Sequence, residues 1–146
     1  MKYAILSLFA SLLVGTSCNT SHTHSHAQDQ TGEDTVNVAL YDMVMDIHDE
    51  VMPKMEDIYN LKKELTGQKN IKDVTAEKKA QLDETIAALD SADNAMKDWM
   101  HKFVMPDSSN QEKAREYLET ELVRIKKVRE ITEEAISRAK EQSAKK

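Results

Sequence analysis

The chain has one cysteine, two prolines and three glycines, and aromatic residues make up only 5 % of it. A single cysteine excludes an intramolecular disulfide, so an oxidising compartment would leave no mark on the fold. The sparse glycines leave no phosphate-cradling loop and no Gly-x-Ser-x-Gly elbow, and H-E-x-x-H is missing as well. His48 and His101, the two histidines in the body of the chain, lack the Glu-x-x-His partners that build di-iron bundles. An enzyme is therefore not expected. Positive charge is also short: the net is −6, and phosphate backbones demand a basic face, so nucleic acid is excluded as a partner. Finally, there is no long apolar run. Ala4 to Val14, broken by Ser7 and Ser11, is about half the roughly 20 residues a spanning helix needs.

That short run has the layout of a secretory signal. Lys2 gives it a positive start, and the small residues Gly15, Thr16 and Ser17 lead from it into Cys18,. "LLVGTSC" resembles a lipobox of the relaxed kind common in Bacteroidota, with Ser17 where Gly or Ala is usual. Residues 1–17 are then a lipoprotein signal peptide, and Cys18 becomes the acylated N-terminal residue. The other reading is an ordinary secretory signal with an incidental cysteine. Several acyl chains on one residue anchor far more firmly than a single myristoyl chain, so the expected partner of this end is the membrane. Cleavage would remove one lysine and no acid, leaving 19 Lys and Arg against 26 Asp and Glu, a net of −7.

"NTSHTHSHAQDQTGEDT" follows, with no aliphatic residue larger than Ala27. It cannot bury enough apolar surface to offset ordering entropy, so residues 18–34 are expected to be a disordered tether. A relaxed chain of that length reaches roughly 20 Å. His22, His24 and His26 alternate and could capture a metal ion loosely, or serve only as a polar spacer. The residues around Asn19 carry no acid, so the acidic export patch of some surface-exposed Bacteroidota lipoproteins is missing. The expected location is the cell envelope, lipid-anchored at the outer membrane and facing the periplasm.

From Thr35 onward the composition is that of a helix former, rich in Lys, Glu, Ala, Leu, Met and Asp,. In a first segment, about 35–67, Leu40, Val44, Ile47, Val51, Met55, Ile58, Leu61 and Leu65 recur every three or four residues, and Gly67 stands where a C-cap is expected. In a second, about 75–105, the stripe is Leu82, Ile86, Leu89, Met96, Met100 and Phe103, with Thr75 as the capping residue. In a third, about 109–144, it is Leu118, Leu122, Ile125, Val128, Thr132, Ala135 and Ala139. Glu121 beside Arg124 reads as part of a solvated, mixed-charge face. No alternating strand pattern competes. Short connections make sequential helices antiparallel neighbours. The fold class is therefore all-α: an up-down-up three-helix bundle over residues 35–146, with helices on the order of 45 Å long.

Within the first helix, "DIHDEVMPKM" places a proline in the interior. Pro53 cannot donate to the Asp49 carbonyl, so a bend near Asp49 is expected. Met45, His48 and Met52 share one flank there. If the turn pairs position 67 with 74, paired positions sum to about 141, which sets Met45 opposite Met96 and Tyr41 opposite Met100. Thioether and imidazole groups suit Cu(I), so one reading is a soft-metal site for copper or silver built from His48 or His101 with Met45, Met96 or Met100. The other is that methionine fills irregular core gaps beside Trp99 and Tyr41. No cofactor is expected except Cu(I) in the first reading.

"DIHDEVMPKMEDIYNLKKEL", "MKDWMHKFVMP" and a third helix near "EYLETE" together resemble a family of small Bacteroidota lipoproteins of unknown function, some of them automatically labelled viral A-type inclusion proteins. The resemblance covers most of the chain beyond Cys18. It implies a helical lipoprotein and no catalytic residues. Two functions remain open: a non-catalytic, membrane-anchored lipoprotein whose helical body is structural or binds a protein through an exposed strip around Trp99 and Phe103, or a periplasmic Met/His module for copper.

Overall fold

The computed structural model describes residues 32–145. The signal segment, the lipidation expected at Cys18 and the tether as far as Thr31 lie outside the described residues. The body is an all-α bundle, and no described residue lies in a strand. Its elements are α1 (Gly32–Val51), α2 (Lys54–Lys69), α3 (Ala76–Lys102) and α4 (Gln111–Ala144). α1 and α2 together form the first arm of the up-down-up path, bent at Met52–Pro53. Helix begins at Gly32, three residues before the expected start and within the stretch assigned to the tether.

The bend falls three residues beyond Asp49. Met52 still donates its amide to the His48 carbonyl at 2.9 Å, and beyond it the ladder tightens, with Met55 N–H on the Met52 carbonyl and Glu56 N–H on the Pro53 carbonyl. Proline supplies no amide for the normal ladder, so three-residue turns take its place. The bend has a consequence for packing. α2 and α3 come within 8 Å at their Cα atoms, whereas α1 and α3 nowhere do; α1 lies instead along α4. Two core clusters result, one on each side of the bend. Ile58, Leu61, Leu65, Leu82, Leu89, Ala135, Ile136 and Ala139 fill the far half. Val44, Ile47, Val51, Met96, Trp99, Ile125 and Val128 fill the near half, and Met55 packs against both.

α4 is the spine. Ala114, Leu118, Glu121, Ile125, Val128, Thr132, Ala135, Ala139 and Gln142 are all buried, at strictly alternating steps of four and three. That is a heptad repeat sustained for four turns of the pattern. Glu121, not Leu122, occupies the core position, which corrects its reading as a surface residue. Asn110 caps the helix, its side-chain oxygen accepting from Lys113 N–H at 3.0 Å, and Thr75 caps α3 likewise through Lys78 N–H at 3.1 Å.

Gly67 does not cap α2. The helix runs on through it to Lys69 and closes at Asn70, and the left-handed position is Asp73, φ 72°. This lengthening shifts the register of the arms. Trp99 meets His48, six residues beyond the Asp42 that the expected turn would give it. α2 and α3 are further joined by the Lys62–Asp90 and Lys69–Asp83 ion pairs. α3 stops at Lys102, three residues before the expected end, because Met105 precedes Pro106 and is pushed out of the helical region. Phe103 N–H still reaches the Trp99 carbonyl, and Val104 N–H donates to the Tyr117 hydroxyl at 2.8 Å. Among the described residues no helix is long and apolar enough to cross a membrane.

Candidate functional site

The space between α1 and α3 is spanned by rings. His48 faces Trp99 at 5.7 Å between centroids, Trp99 stacks on Phe103 at 4.9 Å, and Phe103 touches Tyr41 at 6.3 Å and Tyr117 at 6.1 Å. Large flat side chains fill a wide helix–helix gap that aliphatic residues would leave open. Trp99 is only 6 % exposed, so it is core and cannot meet a partner, contrary to the expectation of an exposed strip there. Phe103 is half-buried.

The residues proposed for metal binding differ in burial. Met96 is fully buried within the near cluster. Met100 is 38 % exposed, His101 is exposed, and Met45 is half-buried. His48 is half-buried against Trp99, with Nδ1 2.8 Å from an Asp49 carboxylate oxygen. Met96 shares the near cluster with Val44, Ile47 and Val51, and Met45 is neither in that cluster nor among the half-buried residues packed against it. Among the described residues no three His, Cys, Asp or Glu side chains gather to hold a metal ion. A soft site among these residues would therefore have to include methionine sulfur.

What the spacing rules overlooked lies at the end of the bundle where α1 begins. The start of α1, the α3–α4 loop and the start of α4 enclose an apolar cleft of about 380 Å³, walled by Val38, Tyr41, Met105, Pro106, Ala114 and Leu118. Asp34, Asn37, Ser108 and Gln111 form its polar rim. Asn37 ties α1 to α4 by donating its side-chain amide to the Gln111 carbonyl at 2.9 Å and to Gln111 Oε1 at 2.6 Å. Its own Oδ1 is buried without a partner. A second cleft of about 300 Å³, lined by Gly32, Val36, Asn37 and Gln111 among others, adjoins it. In the loop, Asp107 accepts from the Ser109 amide at 2.9 Å and the Ser109 hydroxyl at 2.7 Å. Both hydrogen bonds hold its carboxyl below the usual carboxylate range,. Only a local clue in the sequence hinted at this region, the apolar Val104, Met105 and Pro106 beside a polar turn.

Two buried polar groups sit deeper. Glu121, 2 % exposed, accepts from Arg124 at 2.8 Å through Oε1, while Oε2 has no partner, and neither does Trp99 Nε1. The four–three spacing of α4 would have found Glu121, since it falls in step with Leu118 and Ile125. Compared with family models, with curated proteins and with solved structures, the chain matches none.

Proposed function

We propose that the protein is a non-catalytic, membrane-anchored envelope lipoprotein whose helical body is structural or binds a protein partner. The observation that supports this reading is the position of Cys18: it closes the short apolar run Ala4–Val14 after three small residues and opens a polar stretch,. The resemblance to small Bacteroidota lipoproteins points the same way, and the outer membrane facing the periplasm is the location it suggests. The body suits a binding role more than a chemical one, because its surface offers helical flanks with ion pairs and a shallow apolar cleft. Met100, exposed, takes the place of Trp99 as a contact residue beside Phe103.

Cys18→Ser decides the anchor. In cells fed a labelled fatty acid, the native chain is expected to carry label and to fractionate with membranes, and the variant to lose both. Label or membrane association persisting in the variant would refute the assignment.

A further inference from the structure

We infer that the cleft end of the bundle rests on the membrane, with Val36, Val38, Val104 and Met105 in contact with an uncharged or zwitterionic lipid surface. The inference rests on the anchoring proposed above. Thirteen residues, 19–31, separate Cys18 from Gly32, and Gly32 lines the cleft that adjoins the larger one. Fully stretched, such a segment spans about 45 Å, which bounds how far the start of α1 can stand from an acylated Cys18. The opposite end, with Ile71 in the α2–α3 turn, lies on the order of 55 Å further along the bundle. The anchor therefore holds the cleft end, and not the turn end, at high effective concentration over the lipid.

That same end carries the apolar surface. Val36 is 48 % exposed, Val38 49 %, Met105 63 % and Val104 66 %. Tyr41, Pro106 and Leu118 continue the apolar wall inward. Charge selects the kind of lipid. Asp34, Asp107 and Glu112 around the two clefts and the loop outnumber Lys113 and Arg115, so the basic cluster that draws proteins to anionic headgroups is missing. Contact with an anionic surface would be opposed, while contact with a zwitterionic one depends on apolar burial alone. Seated in this way, the bundle would point its α2–α3 turn and the far half of α4 away from the membrane, where a protein partner could reach them.

The test uses the full acylated protein reconstituted in phosphatidylcholine–phosphatidylethanolamine vesicles. Cys18 is the sole cysteine, so once it is acylated a new cysteine is the only free thiol for an environment-sensitive fluorophore. Met105→Cys and Ile71→Cys are labelled separately, and doxyl-labelled lipids serve as quenchers. Quenching is expected to be several-fold stronger at position 105 than at 71, to weaken when phosphatidylglycerol is added at low salt, and to fall to the level of position 71 when Val38→Glu is combined with Met105→Cys. Val38 is exposed, so that variant keeps the fold. Equal quenching at 105 and 71 with Cys18 acylated would overturn the inference and leave the anchor standing. Stronger quenching on anionic vesicles would overturn it too. An unmodified Cys18 by mass spectrometry would remove the anchoring itself, and the inference with it.

Discussion

Met96 and Met100 stand one helical turn apart on α3, yet the first is sealed in the near cluster and the second is 38 % exposed. Truncation should separate them. Met96→Ala is expected to cost about 2–5 kcal/mol by the loss of buried volume, whereas Met100→Ala should stay within about 0.5 kcal/mol, both read from urea unfolding. Leucine at both positions keeps the volume and removes the sulfur. The expected result is stability within about 1.5 kcal/mol of the native chain and unchanged Cu(I) affinity; weakened Cu(I) binding would revive the copper reading. Glu121 is the other informative residue. Its Oε2 lies buried without a partner at a heptad core position. Glu121→Leu should therefore raise stability by about 1–3 kcal/mol, the usual penalty of an unpaired buried polar group. A loss of stability would mean that the carboxylate is satisfied by something the bundle binds.

At the scale of elements, the bend at Met52–Pro53 and the ion pairs across it act together. Glu50 accepts from Lys54 at 2.9 Å and from Arg129 at 3.3 Å, and Lys54 also donates to Glu133 at 2.8 Å, so α1, α2 and α4 meet at one charged clamp. Hydrogen bonds from Lys54 and then Arg129 hold the Glu50 carboxyl below its ordinary value of 4.5. A depressed carboxyl contributes stability above its unfolded value, and that contribution disappears as pH falls below about 4.5 through the folded value. Lys54 is shifted upward, chiefly by Glu133 and further by Glu50. Its contribution is complete below 10.5 and is lost as pH rises through the higher folded value. Melting temperature measured against pH should accordingly fall less steeply in acid for Glu50→Gln than for the native chain, and identical acid limbs would show that the clamp contributes nothing. Pro53→Ala tests the bend. The bend lets α2 pack on α3 while α1 lies along α4, so the variant is expected to lose more than about 1 kcal/mol despite better helix propensity; a gain would mean that the bend is merely tolerated. Gly67 gives the opposite case, helical and exposed with open space around its Cα. Gly67→Ala should add about 0.5–1 kcal/mol.

For the whole molecule, α4 contacts every other helix, while α1 lies chiefly along α4 and reaches α3 only through rings. Hydrogen exchange followed by mass spectrometry should show residues 32–51 losing protection before residues 82–99, because α1 lies chiefly along one neighbour, α4, where α3 packs against both α2 and α4,. The helical class, the three arms, the caps at Thr75 and the interior proline were legible from the sequence. Each is set by local chemistry: helix propensity, an apolar stripe at a period of 3.6, a hydroxyl before an acidic turn, a missing amide. The polarity of the chain, which argues against nucleic acid, and the motif around Cys18 are likewise properties of the sequence itself. What only the tertiary structure decided is which residues of different helices meet. A two-residue extension of α2 past Gly67, together with the bend at Pro53, moved Met96 away from Met45 and set Trp99 against His48. No local pattern records such a displacement, because register is the sum of small choices in the turns. The burial of Glu121, by contrast, was open to the sequence, since Glu121 falls in step with Leu118 and Ile125 in the four–three spacing of α4. The cleft where α1 begins exists only because the start of α1, the α3–α4 loop and the start of α4, distant in sequence, are brought together by that packing.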